Sequence, residues 1–223
     1  MYNILKRLFD VVASAIALLI LSPLFILVSI ILLCTGEHHV FYFQQRIGLK
    51  NRPFHIWKFA TMLKNSPNMG SGTITLRKDP RVLPCGAFLR KTKINELPQI
   101  FNVFLGNMSI VGPRPLTANN FNYYNQEVKN VLYRLKPGIT GIGSIIFRDE
   151  ERFISASKMS PQEYYAQYIS PYKGALEIWY SQHRSLSIDT KLIFLTAWVI
   201  LKPESNLPFR WLKGLPERPD YLK

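Results

Sequence analysis

The sequence predicts a small, mainly helical domain with a few short strands, carried on an N-terminal membrane helix that is broken at Ser22-Pro23. Three observations predict it. Val11 to Cys34 is a run of 24 residues without a charge, longer than the ~20 that a helix needs to cross a hydrocarbon core. After Gly36 the apolar pattern becomes short and interrupted, then turns helical from Phe88 onward. Finally, 28 Lys+Arg against 14 Asp+Glu leave a formal net charge of +14 over 223 residues, which calls for an anionic partner: nucleic acid, acidic lipid or a phosphorylated substrate. A chain of this length holds one domain with a core of its own, or a modest domain plus a membrane segment. The expected division is residues 1–36 for the membrane helix and residues 37–223 for the domain.

The apolar run is preceded by Lys6-Arg7, as in a secretory signal, but it is too long for a signal core and no small-residue cleavage site follows. Pro23 removes a backbone donor and clashes with the carbonyl four residues back, so it bends the helix. Ser22 and the neighbouring backbone can satisfy the freed carbonyl. A break at the midpoint suits either a kinked spanning helix or a hairpin that leaves by the face it entered. Lys and Arg prefer the cytoplasm, and they flank the run on both sides, which favours the re-entrant form; an ordinary single-pass anchor is the alternative. Asp10 at the apolar boundary is expected to pair with Lys6 or Arg7, one turn earlier.

From His38 to Lys78 there is no acidic residue, while Arg46, Lys50, Arg52, Lys58, Lys64, Arg77 and Lys78 fall there. This basic stretch directly follows the membrane segment, where anionic lipid attracts it. Nucleic acid, the other reading of the charge, finds no recognition motif in the chain. Val40 to Phe43 and Phe54 to Phe59 read as strands around a turn at Asn51-Arg52-Pro53. Asn65 to Gly72, rich in Ser, Asn, Gly and Pro, reads as a loop of the length that often covers a site. Between Phe88 and Leu105 apolar residues recur at helical spacing, and Pro98 suits an early position in a second helix. Asn95-Glu96 then lands at a helix N-terminus, where free amides and partial positive charge stabilise an anion. Ser160 caps a helix over Pro161 to Tyr168, and another follows over Lys173 to Tyr180. Ile188 to Leu201 is too short to span; it can lie in the membrane interface or pack inside the domain. Cys34 and Cys85 lack metal-ligand spacing and read as reduced.

Ten short motifs stand in order: Lys6-Arg7-Leu8-Phe9-Asp10, Leu21-Ser22-Pro23, Gln45-Arg46-Ile47-Gly48, Trp57-Lys58-Phe59, Asp79-Pro80-Arg81, Glu96-Leu97-Pro98-Gln99, Phe101-Asn102-Val103, Gly106-Asn107-Met108-Ser109, Val111-Gly112-Pro113-Arg114-Pro115 and Lys136-Pro137-Gly138-Ile139-Thr140-Gly141. Together they resemble, over nearly the whole chain, the bacterial sugar transferase family of monotopic phosphoglycosyl transferases. The resemblance implies a small α/β-type domain with interfacial amphipathic helices, resting on the cytoplasmic face of the bacterial inner membrane. It implies transfer of a sugar-1-phosphate from a UDP-sugar to undecaprenyl phosphate with release of UMP, the first membrane step of polysaccharide or glycoconjugate biosynthesis. A magnesium-dependent site, contact with anionic inner-leaflet lipid and compatibility with a homodimer belong to the same expectation.

Moving a phosphosugar requires neutralisation of the anionic groups and an aligned nucleophile. Mg²⁺ is usually held by one or two carboxylates plus substrate phosphates, so Glu96 is the candidate ligand. In the family the residue before this glutamate is an aspartate that attacks the donor. Here it is Asn95, and an amide cannot form the acyl phosphate. Asn95 is an inactivation, Glu96 takes over the attack, or the lipid phosphate attacks the donor directly; an inactive homologue would serve as a lipid- or nucleotide-sugar-binding module. Lys58, Arg81, Arg114 and Arg148 match positions that hold phosphates. Arg114 is fixed between Pro113 and Pro115 for bidentate contact. Arg148 stands in Phe147-Arg148-Asp149 where the family has Gly-Arg-Asn, a departure that points to a different sugar pocket. The cluster Asp149-Glu150-Glu151 suits sugar hydroxyls or a helix cap equally, and Glu177 is a further candidate acid for metal or base duty.

Overall fold

The computed structural model of the chain describes residues 1–69 and 79–222. The end of the polar loop beyond residue 69, with Arg77 and Lys78, lies outside the described residues, as does the side chain of Glu151. The described residues are mostly helical, with two small two-stranded sheets among them. Helix α1 spans Tyr2–Cys34 and is long and apolar enough to cross a membrane. The break expected at Ser22-Pro23 does not interrupt it: α1 is one helix with Pro23 inside. The carbonyl that Pro23 leaves without its i+4 donor is that of Leu19, and the Ser22 hydroxyl donates to it at 2.8 Å.

One face of α1 packs along the domain from end to end. Asp10, Ser14, Phe25, Val28 and Leu32 are buried, while Ile16, Leu19, Ile20, Leu27 and Ile30 on the other side are exposed. The charges of the first turns do not pair with one another as expected. Lys6 reaches Asp189 at 2.5 Å, Arg7 donates to the carbonyls of Val103 and Phe104 at 2.7 and 2.8 Å, and Asp10 accepts the amide of Ile110 at 3.0 Å. Packing brings backbone groups and a carboxylate of the domain closer to each charge than its helical neighbours can come.

Strands β1 (Phe41–Ile47) and β2 (Pro53–Phe59) form an antiparallel hairpin in which Phe43 faces Trp57. The turn lies at Leu49–Asn51, slightly earlier than expected, because Lys50 and Asn51 take positive φ and Pro53 opens β2, the strand position a proline tolerates. Helix α2 (Pro84–Lys91) leads through a 3₁₀ turn at Ile94–Glu96 into α3 (Gln99–Leu105). Asn102 of α3, fully buried, bonds both sides of the β2 backbone: its amide donates to His55 O at 2.8 Å and its oxygen accepts from Trp57 N at 2.9 Å.

Strands β3 (Ser109–Val111) and β4 (Gly138–Thr140) pair in parallel. Between them lie α4 (Ala118–Asn122) and α5 (Gln126–Arg134). The β3–β4 crossing is too close for side chains: a Cβ on Gly112 would come within 2.3 Å of the Lys136 carbonyl, and one on Gly138 within 2.1 Å of the Gly112 nitrogen. Two of the sequence motifs are thus the two halves of one contact. Short helices α6 (Ile142–Ile146), α7 (Glu150–Ala156) and α8 (Pro161–Tyr164) follow. Ser160 and Glu163 close the capping box that opens α8, and a π turn carries the chain into α9 (Ser170–His183). Helix α10 (Leu186–Leu201) buries Leu192, Leu195 and Val199 against Leu176, Trp179 and Ile142, and leaves Phe194, Ile200 and Leu201 exposed. It therefore packs into the domain with one side and presents apolar surface with the other. A last short helix, α11, spans Leu207–Trp211.

Candidate functional site

Three separate elements converge on one carboxylate. Lys58 comes from β2, Glu96 from the turn before α3, and Arg114 from the segment after β3. Lys58 Nζ donates to Glu96 Oε1 at 2.8 Å, and Arg114 Nη2 lies 3.6 Å from the same oxygen. The arrangement follows from the packing: Asn102 locks α3 to β2, and the amide of Gly138 holds the carbonyl of Pro113 at 2.8 Å beside Arg114. Lys93 in the left-handed region turns the chain out of α2 so that Asn95 points inward and Glu96 faces Lys58.

The cluster is cationic overall. Arg46 of β1 donates to Pro115 O at 3.2 Å and to the Gln44 side chain, and it faces the same group of charges. Burial and the neighbouring Arg114 push its guanidinium down to about 10. Burial likewise pushes Lys58 down to about 8, although Glu96 opposes the shift. Burial by itself would raise the Glu96 carboxyl, but Lys58 and Arg114 hold it well below the usual carboxylate range, so it is ionised. Three cations share one anion, which leaves the site attractive to further negative charge.

Lys58, Asn95, Glu96, Arg114 and Arg148 all line one cleft of about 1480 Å³, with Arg46 in its wall. Arg148 reaches it from the end of α6 and donates to the Val199 carbonyl of α10. Asp149 and Glu150 line it too, Glu150 paired with Lys173. Arg81 does not join this group. It is buried beside Asp79 at 2.5 Å and donates to the carbonyls of Ser66 and Met69, both at 2.8 Å, which ties down the loop that follows β2. Glu177 lies behind Arg114, in a small chamber that the two share. Arg46 is the residue that sequence reasoning left out of the site, although its motif and its place in the basic stretch both marked it.

Asn95 is 5% exposed, and its side-chain oxygen has no hydrogen-bond partner among the described residues. Asn95 and the ionised Glu96 are adjacent in sequence and both line the cleft, and their oxygens are of the hard type that Mg²⁺ takes. No group of three His, Cys, Asp or Glu stands together among the described residues.

Fold and site together define a class: a helical domain built along a long apolar helix, with a cationic cleft organised around a single carboxylate. The chain belongs to the bacterial sugar transferase family, whose pattern matches residues 1–203. It is 32% identical over 200 residues to the UDP-glucose:undecaprenyl-phosphate glucose-1-phosphate transferase of Klebsiella pneumoniae, covering 87% of this chain and 40% of that protein. It is 32% identical over 205 residues to the exopolysaccharide production protein ExoY of Rhizobium meliloti, covering 86% and 83% respectively. With the undecaprenyl-phosphate galactose phosphotransferase of Salmonella typhimurium it shares 32% over 212 residues, 89% of this chain and 40% of that protein. The chain therefore spans less than half the length of the Klebsiella and Salmonella relatives and most of the length of ExoY.

Proposed function

We propose that the chain is a phosphoglycosyl transferase that moves a sugar-1-phosphate from a UDP-sugar to undecaprenyl phosphate and releases UMP. The observation that carries this reading is Glu96 shared by Lys58 and Arg114, with Arg46 adjacent, in a cleft large enough for a nucleotide-sugar. Excess positive charge in a partly dry cleft is what a donor diphosphate and a lipid phosphate require. Arg114 and Lys58 clamp the donor, and Arg148 at the far wall holds the sugar or its phosphate. Glu96 and the Asn95 oxygen are the residues that would hold Mg²⁺, which when bound neutralises phosphate charge on the donor.

Asn95 supports direct transfer. An amide cannot carry the phosphosugar, and the Glu96 carboxylate is already engaged by two cations. In a direct step an oxygen of the lipid phosphate bonds to the phosphorus that bears the sugar. The bond from that phosphorus to the bridging oxygen breaks, and UMP leaves with the electron pair.

Helix α1 supports a monotopic placement, with the domain on the cytoplasmic face of the inner membrane. Its contacts to the domain run from Lys6 to Leu32, so no half of it is left to lipid alone, and basic residues flank it on both sides.

The test is UMP release by the detergent-solubilised chain with Mg²⁺, undecaprenyl phosphate and a panel of UDP-sugars, beside Asn95→Asp and Glu96→Gln. The expected result is release only when the lipid is present, reduced about 100-fold or more in Glu96→Gln. Donor binding without release by the native chain, with turnover restored in Asn95→Asp, would instead make it a binding module.

A further inference from the structure

The family pattern ends at residue 203, but the wall of the cleft does not. Asn206, Phe209, Arg218 and Tyr221 line it, as does Arg148. The segment after residue 203 is built into the domain: Leu212 and Leu222 are buried in the same apolar cluster as Phe147. Two ties place it beside α6. In the last turn of α10, Val199 O accepts from Arg148, while Trp198 Nε1 donates to Ser205 Oγ at 2.8 Å. Phe147 packs edge-on against Tyr172 with ring centroids 6.1 Å apart, and the Tyr172 hydroxyl donates to Pro216 O at 3.1 Å. The stretch Phe147-Arg148-Asp149, where the chain departs from the family's Gly-Arg-Asn, therefore meets the segment that lies beyond the family pattern.

Each of the two elements brings a neutral hydrogen-bonding group to the cleft. In the C-terminal segment, Arg218 Nη1 donates to Asn206 Oδ1 at 2.8 Å, Nη2 donates to Leu222 O, and the guanidinium carbon lies 4.5 Å from the centre of the Phe209 ring. A guanidinium can only donate, so it fixes which end of the Asn206 amide is oxygen and leaves Nδ2 as the donor. On α6, Ser144 lines the cleft, and its hydroxyl is buried with no hydrogen-bond partner among the described residues. A helical serine can return its hydroxyl to the carbonyl one turn back. Here that carbonyl, Thr140 O, accepts the Gly112 amide at 2.8 Å across the β3–β4 pair.

An oriented amide and an unanswered hydroxyl suit the hydroxyls of a sugar, whereas a diphosphate is answered by the cations around Glu96. The Klebsiella and Salmonella relatives share undecaprenyl phosphate in their names and differ in the sugar, glucose in one and galactose in the other. Residues outside the shared pattern are placed to read the part of the substrate that is not shared. We infer that the part of the cleft between α6 and residues 204–222 is the subsite for the donor's sugar, where Asn206, oriented by Arg218, and Ser144 hydrogen-bond the sugar hydroxyls and set which sugar is taken. This rests on the transferase reading given above.

The full chain in lipid nanodiscs free of undecaprenyl phosphate, titrated with UDP and with a panel of UDP-hexoses, UDP-N-acetylhexosamines and UDP-uronic acids, tests the assignment. The native chain should bind one donor of the panel more tightly than UDP. Asn206→Ala and Ser144→Ala should each lower that affinity about three- to tenfold and leave the affinity for UDP unchanged. Ser144→Ala removes a hydroxyl that has no partner, so its thermal midpoint should not fall, and it decides the matter if Asn206→Ala does not fold. A native chain with no preference over UDP, or a preference that either folded variant keeps in full, overturns the inference and leaves the transferase reading intact. A loss of the same size for UDP assigns this part of the cleft to the nucleotide and overturns the inference as well. A native chain that binds neither UDP nor any UDP-sugar overturns both readings.

Discussion

The Lys6 ammonium lies 2.5 Å from the Asp189 carboxylate, so the first turn of α1 is bound to α10 across almost the whole chain. Asp189 is 5% exposed and also accepts the hydroxyls of Tyr2 at 2.9 Å and Tyr180 at 2.7 Å. Removing a carboxylate from such a group strands three donors. Asp189→Ala is expected to cost about 3–5 kcal/mol, read as a lower thermal midpoint in detergent, with proteolysis beginning near the N-terminus. An unchanged midpoint would show that α1 is held by apolar packing alone.

Asn102→Ala removes both bonds that tie α3 to β2. It leaves His55 O and Trp57 N unpaired in the interior, a loss of about 1–3 kcal/mol for each group. The same bonds set the distance from Lys58 to Glu96, so UMP release should fall further than the stability loss explains. Chemical denaturation and turnover measured on one preparation separate the two effects.

Gly112→Ala drives a methyl group against the Lys136 carbonyl. The β3–β4 crossing must open, at a cost of about 1–3 kcal/mol, and Arg114 moves with it. Donor affinity should drop along with stability, whereas Arg114→Lys should lower donor affinity without changing the thermal midpoint, because a lysine keeps the charge and loses the planar fork. Equal donor affinity in Arg114→Lys would remove Arg114 from the clamp.

Two carboxyl groups give stability opposite dependences on pH. Glu96 has a lowered value in the folded chain, so its contribution is complete above its ordinary value of 4.5 and is lost as pH falls. Glu177 is raised to about 8, so between 4.5 and 8 the folded chain binds more protons than the unfolded one and stability declines as pH rises. Thermal midpoints measured from pH 4 to pH 9 should show Glu177→Gln gaining over the native chain at pH 8 but not at pH 4. Glu96→Gln should flatten the acid side. A Glu177→Gln curve parallel to the native one would contradict the assignment.

The uncharged run from Val11 to Cys34, the short strands around residue 50 and the Ser160 cap were all readable because each depends on neighbours within a few residues. So was the pairing of Ser22 with the carbonyl freed by Pro23, one turn of helix being enough to define it. Asn95-Glu96, expected at a helix N-terminus, instead lies in the 3₁₀ turn ahead of α3, where the Glu96 amide is bonded to Lys93 O. The continuity of α1 through Pro23 was not readable, since a proline bends or breaks a helix according to what packs beside it. Arg81 matched a family position yet lies buried on Asp79, while Arg46 joined the cleft. Sequence spacing alone cannot tell which of several cations will share one carboxylate.

The chain's composition and motif order by themselves determined an apolar helix leading into a basic, mainly helical domain, and the family to which it belongs. Both are carried by local hydropathy, local charge and residue identity. Only the tertiary structure decided that Lys58, Glu96 and Arg114 meet, that Lys6 and Arg7 leave Asp10 for partners some hundred or more residues away, and that Glu177 sits behind Arg114. Those distances are set by the Asn102 bridge and the glycine crossing of β3 with β4, contacts between segments far apart in sequence whose geometry exists only once the core has closed.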